Sequence, residues 1–401
     1  MDVLRIAAMA AVVVIHAVAP VVEARTIELG SPTWWAANVL DASTRWCVPV
    51  FIMVSGALLL DPAKRMTVRS FYLRRVHRVG VPLVAWIGCY LGFREFYNSD
   101  GLTAGQATAA IASGSVFLHL YFLFILLGLY VVTPYLRVLT LHAPRRMLWG
   151  FTAMMLGLGV TDQAIGTLVG QGEPNAVTRF LPYVGYFVTG WLLRDLRVLT
   201  LHAPRRMMWG FTAIMLGLGI TDQTIGTLIG QGQPNAVTRF LPYVGYFVAG
   251  WLLRDLRLGR RQVLLAGAGL VASWAAIAVG TGLVADAVGW NSTAGYLYGF
   301  LSPPVVLMSV SAYVLLRALG SRLMRDGGES LVRRVQSVAA LTFGVYLVHP
   351  ALLMPLRRAT GIPTDVTGML AVVLGSAAVV FLASLALSWL VRRIPVLRHT
   401  V

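Results

Sequence analysis

Apolar residues run in long blocks along this chain, and the breaks between the blocks are short and rich in arginine. A helix needs about 20 mainly apolar residues to cross a bilayer. On that pattern, spans are expected at about 3–22, 36–60, 79–96, 118–136, 147–160, 176–193, 207–220, 236–253, 262–285, 296–316, 338–356 and 368–391. The expected fold is therefore all-α, a polytopic transmembrane helix bundle of about twelve helices in one membrane domain covering residues 1–401.

Four of those spans are two copies of one pair. Residues 137–196 recur as 197–256, differing only at Leu148/Met208, Met154/Ile214, Val160/Ile220, Ala164/Thr224, Val169/Ile229, Glu173/Gln233 and Thr189/Ala249. Near-identity points to a recent tandem duplication, and two copies do not make a solenoid array. Each copy holds two spans, so removing one leaves ten spans and the sidedness of all the others unchanged.

Composition agrees with a membrane class. Hydrophobic residues make up 57% of the 401 and charged residues 12%, with mean hydropathy +0.74; a soluble domain has about twice that charge. The net charge of +17 does not call for nucleic acid, because the bases gather in alternate loops, as the positive-inside rule requires. With the first residue in the cytoplasm, all 33 Lys and Arg but Arg25, Arg45, Arg94, Arg179, Arg239, Arg357 and Arg358 fall on the cytoplasmic side. Both termini are then cytoplasmic, and the first apolar run, lacking a small-residue cleavage site, is expected to stay as a span. Cys47 and Cys89 lie in apolar spans with no disulfide or metal-ligand spacing and read as small buried hydrophobes.

The first span carries the chemistry. Asp2-Val3-Leu4-Arg5 is followed by ten residues and then His16. Eleven steps on a helix bring both side chains to one face, about 16 Å apart along the axis. Ionisable groups at membrane depth are costly and mark a functional site by default. His16 reads either as a histidine hydrogen-bonded into the bundle or as a general base or acyl carrier, since an unperturbed imidazole accepts protons at working pH. Arg5 and Asp2, three apart, suit an ion pair; Arg5 also suits a phosphate or a thioester carbonyl. Arg75 and Arg78 share a helical face beside the membrane, either as topogenic charge or as holders of a phosphorylated cofactor. Arg45 snorkels outward or faces His16. Ser55-Gly56 permits close helix approach. Tyr121 and Tyr346 fit aromatic belts, whereas His349 lies well inside an apolar run. There is no glycine-rich phosphate loop, no zinc-ligand spacing and no serine nucleophile elbow.

Taken together, several stretches resemble the acyltransferase 3 family of integral membrane acyltransferases. They are Asp2 to Arg5 with ten residues before His16; Val48-Pro49-Val50-Phe51-Ile52-Met53-Val54-Ser55-Gly56; Arg75-Val76-His77-Arg78 before Pro82; His119-Leu120-Tyr121-Phe122-Leu123 through Tyr130 and Pro134; and Phe343-Gly344-Val345-Tyr346-Leu347-Val348-His349-Pro350. The stretch from Ser31 to Gly56 is most similar to the branch that O-acetylates bacterial surface polysaccharides such as enterobacterial common antigen. The resemblance implies a core of about ten helices in the bacterial cytoplasmic membrane. It implies acyl-CoA, usually acetyl-CoA, as a donor substrate from the cytoplasm, no permanently bound cofactor or metal, and a sugar or glycan hydroxyl as acceptor at the outer face. By position, His16 and Arg5 match the essential pair, and Arg75 and Arg78 match arginines linked to CoA handling. Asp2, Arg45, Tyr121, Tyr346 and His349 are the supporting candidates, with Tyr121 standing where many members have tryptophan. A multi-pass transporter or flippase is the other reading of such a chain, although transporter repeats span half the protein and this one is local.

Overall fold

The structure is a computed structural model, which describes residues 1–61, 67–97, 102–168, 240–256, 258–395 and 400. The described residues fold into helices and connecting turns, with no strand among them. In chain order the helices are α1 Asp2–Val22, α2 Pro32–Ala42, α3 Cys47–Leu59, α4 Val68–Arg75, α5 Val81–Tyr97, α6 Ala104–Ala112, α7 Tyr121–His142, α8 Arg145–Leu168, α9 Val244–Arg254, α10 Arg260–Val288, α11 Pro303–Asp326, α12 Glu329–Thr360 and α13 Val366–Arg393. Eight helical segments of the described residues are long and apolar enough to cross a membrane: Asp2–Val22, Pro32–Leu59, Val68–Phe96, Tyr121–His142, Arg260–Val288, Ala294–Asp326, Glu329–Thr360 and Val366–Arg393. They take up the first four and last four of the expected spans, and the protein is a polytopic helical membrane bundle. Of the repeat, the span expected at 147–160 lies in α8 and the one at 236–253 partly in α9. The spans expected at 176–193 and 207–220 lie outside the described residues.

The chain forms two compact units, Met1–Ser55 with Leu253–Val401, and Gly56–Leu252. In the first unit α1 is central and packs on α2, α11, α12 and α13. The most apolar windows of α1 and α12 are each 56% buried, against 22% for α10 and 28% for α13. The outer helices therefore present leucine and valine outward, at Leu264, Leu265, Leu283, Val379, Leu382 and Leu390. An apolar exterior of that extent suits lipid rather than water.

Two expected spans turn out to be broken helices. The span expected over 36–60 stops at Ala42 and restarts at Cys47. In between, Ser43 Oγ donates to Leu40 O and Thr44 Oγ1 to Asp41 O (2.6 and 2.8 Å), so side chains take up carbonyls the helix would use. Pro49 then sits in the first turn of α3, where a missing N–H leaves nothing unpaired. The second break is a π turn, Val76–Gly80, between α4 and α5, closed by Val81 N–H to Val76 O. Pro82 follows at once; a proline ring clashes with the carbonyl four residues back, and a widened turn relieves that clash. Within α5, Cys89 is exposed on an outward face, whereas Cys47 is buried as expected.

The second unit shows how the repeat is used. Helix α8 belongs to the first copy and α9 to the second, and the two lie against each other. A Cβ on Gly245 would fall 2.8 Å from the backbone nitrogen of Leu156, and Arg145 Nη2 donates to Leu252 O at 3.1 Å. Gly56 has the close approach its sequence suggested, since a Cβ there would collide with the backbone carbonyl of Phe247. Thus one helix from each copy packs against the other. Deleting residues 171–230 joins Gly170 to Gln231 in a sequence the chain already contains, and keeps Ala249, which is 2% exposed. Deleting 197–256 instead puts Thr189 in that tight position, and overpacking costs about 1–3 kcal/mol. The 171–230 deletion is expected to unfold in detergent within a few degrees of the parent, and the 197–256 deletion below both. Equal losses of expression for both deletions would show that the additional copy is needed.

Candidate functional site

Helix α1 places His16 three turns beyond Arg5 on one face, as the spacing predicts. The ring is partly covered, and no described residue hydrogen-bonds to it. Against it stands His349 of α12, fully buried, with ring centroids 5.3 Å apart and planes at 30°. A stacked imidazole pair is the central feature of the first unit. Tyr346, one turn back on α12, is buried with its ring 6.2 Å from that of His349.

The orientation of His349 follows from Pro350. Proline has no N–H, so the carbonyl of Tyr346, four residues earlier, lacks its usual helical partner. His349 Nδ1 lies 2.8 Å from that carbonyl and 3.1 Å from Val345 O. Carbonyls only accept, so Nδ1 carries the proton and neutral His349 has its lone pair on Nε2. The His-Pro sequence thus fixes a tautomer. Two like charges at 5.3 Å would repel strongly in an apolar setting, so the two rings do not carry positive charge together.

The remaining candidates separate by unit. In the first unit, Arg5 pairs with Asp2 at 3.7 Å, with side chains 36% and 30% exposed. Arg45 neither snorkels nor stands alone. Its guanidinium binds Asp41 Oδ1 through Nε and Nη2, lies 3.9 Å over the ring of Tyr298, and donates to Tyr298 O at 3.3 Å. Tyr298 Oη donates to Asn38 Oδ1, and Asn38 Nδ2 to Ala278 O at 2.8 Å. The positive charges of Arg45 and Arg357 both reach His16. Asp41, Asn38 and Tyr298 were not among the expected site residues. The four-residue step from Asp41 to Arg45 was a visible signal for one of them; Tyr298 is too distant in sequence for any.

Arg75, Arg78 and Tyr121 belong to the second unit. Arg75 ends α4 half-buried between Phe71 and Tyr130, 5.4 Å from each ring centroid. Arg78 lies in the π turn and is exposed. The regular helix expected to show both on one face is interrupted, and the two arginines have different surroundings. Tyr121 opens α7, partly exposed. Buried His119 is bracketed by Tyr90 and Phe117, at 5.2 and 6.0 Å. Arginine beside aromatic rings gains cation–π attraction and keeps its fork for an anion.

The chain was compared with known proteins. A family model described as an acyltransferase domain, that of acyltransferase 3, matches residues 1–223 and 203–393, and the two matches overlap inside the repeat. No curated protein and no solved structure matches.

Proposed function

The chain belongs to the acyltransferase 3 family and is a membrane acyltransferase, and on that premise we propose that it moves an acetyl group from acetyl-CoA to a hydroxyl of a sugar or cell-surface glycan, with His16 as the base. The observation that carries this reading is the stacked His16–His349 pair, ring centroids 5.3 Å apart, where α1 packs on α12 in the first unit. A histidine kept only for packing gains nothing from a second one against its face.

In this reading the donor comes from the cytoplasm of a bacterium, where the charge pattern also puts both termini. Arg75 and Arg78 hold the CoA phosphates, and Arg5 stands at the donor end of the first helix. The acceptor O–H gives its proton to His16 as its oxygen attacks the thioester carbonyl. The new C–O bond forms and the C–S bond breaks. The CoA thiolate leaves and takes the proton back from the imidazole, so the base is restored. Transfer through an acyl-imidazole on His16 is the two-step variant with the same groups. His349 acts through His16: its ring stacks on that of His16 and, in its fixed neutral tautomer, holds that ring in place without adding a positive charge beside it.

The test is transfer of label. Membranes holding the protein, given radiolabelled acetyl-CoA, are expected to incorporate acetyl into saponifiable glycan, and membranes without it are not. Release of free acetate alone, with no labelled acceptor, would remove the glycan-transfer reading.

A further inference from the structure

A cleft opens in the first unit just beyond His16. Its walls are apolar, with Ala17 and Val21 from α1, Leu353 from α12 and Val373 from α13; its polar side chains include Arg357 and Ser376. Ala17 is the neighbour of His16 in the chain, and Leu353 is one turn past His349 on α12. The cleft therefore follows both helices away from the imidazole pair, at the end of α1 opposite to Arg5.

Arg357 is the odd member of this lining. It is only partly exposed, and no described residue makes an ion pair or side-chain hydrogen bond with it. Glu23, exposed at the end of α1, is close enough for its charge to be felt but forms no pair. An arginine in the last turn of a helix commonly serves the helix dipole. Arg358, exposed in the same turn of α12, already supplies that charge. A second, half-buried guanidinium facing an apolar cleft is costly without a counter-anion.

We propose that this cleft docks the acceptor, and that the acceptor is an anionic amphiphile, a sugar joined through a phosphate to an apolar chain. The phosphate pairs with the fork of Arg357, and the chain lies along Leu353 and Val373. The sugar hydroxyl then points back along α1 toward His16. This deepens the glycan-acylation reading and rests on it for the reaction, but docking itself is measurable without turnover.

The experiment uses the full chain in neutral detergent and radiolabelled dodecyl glucosyl phosphate as the probe, with dodecyl glucoside as its uncharged counterpart. Saturable binding of the charged probe is expected, weakened about tenfold or more in Arg357→Gln and less in Arg357→Lys, as for loss of a charge-assisted hydrogen bond. Dodecyl glucoside is expected to bind parent and variant alike, which also reports on the fold. His16→Ala is expected to bind the charged probe as the parent does. Equal affinity of parent and Arg357→Gln for the charged probe would overturn the docking proposal and leave the role of His16 standing. Arg357-dependent binding together with undiminished transfer by His16→Ala would keep the docking site and overturn the catalytic reading.

Discussion

Replacing His16 by alanine is expected to lower acetyl transfer by about two to four orders of magnitude, the usual range for a general base, while the protein still accumulates in membranes. The two effects separate because the ring makes no hydrogen bond with a described residue and is partly uncovered, so little of the fold depends on it. His349 is different. It is wholly buried, with Nδ1 held by two backbone carbonyls. A His349→Gln variant is expected to lose about tenfold or more in kcat, with a changed pH profile, and to leave the KM for acetyl-CoA near the parental value. Pro350→Ala tests how the ring is set: it restores an N–H that competes for Tyr346 O, freeing Nδ1 from its fixed role. Its pH profile should therefore move in the same direction as that of His349→Gln. Full transfer by His16→Ala would end this assignment.

How much of this was legible in the sequence depended on the distance over which each feature is decided. The helices outside the repeat follow from apolar blocks, because a backbone in lipid must satisfy its own hydrogen bonds. The Arg5 to His16 spacing was readable for the same local reason. The break between Ala42 and Cys47 was not, since Ser43 and Thr44 can bond back inside a helix as easily as end one. The π turn had a written cause in Pro82, but a regular period does not anticipate it, nor that Arg75 is half-buried while Arg78 is exposed. His349 stood out by its depth alone; that it meets His16 depends on α1 packing against α12 across more than three hundred residues. The same holds for Tyr298 with Arg45. Gly56 announced a close approach without naming Phe247.

Asp41→Ala is expected to destabilise the first unit by about 3–5 kcal/mol, the range for breaking a buried pair by removing one partner. The Asp41 side chain is fully buried and that of Arg45 is 14% exposed. Without the carboxylate, the guanidinium keeps only the ring and carbonyl of Tyr298. Without Arg45, the carboxylate has no cation, and its Oδ2 already lacks a hydrogen-bond partner. Each single change strands the other charge, so the losses should not add: Asp41→Ala with Arg45→Met should unfold closer to the parent than either single variant does. The Asp2–Arg5 pair gives the contrast. Exposed by about a third, it is worth about 1 kcal/mol or less, and Asp2→Asn should barely move thermal unfolding. Thermal and denaturant unfolding of the purified variants measure all of these. If Asp41→Ala unfolds with the parent and loses transfer instead, Asp41 and Arg45 belong to the reaction and not to the frame that holds α2 against α10.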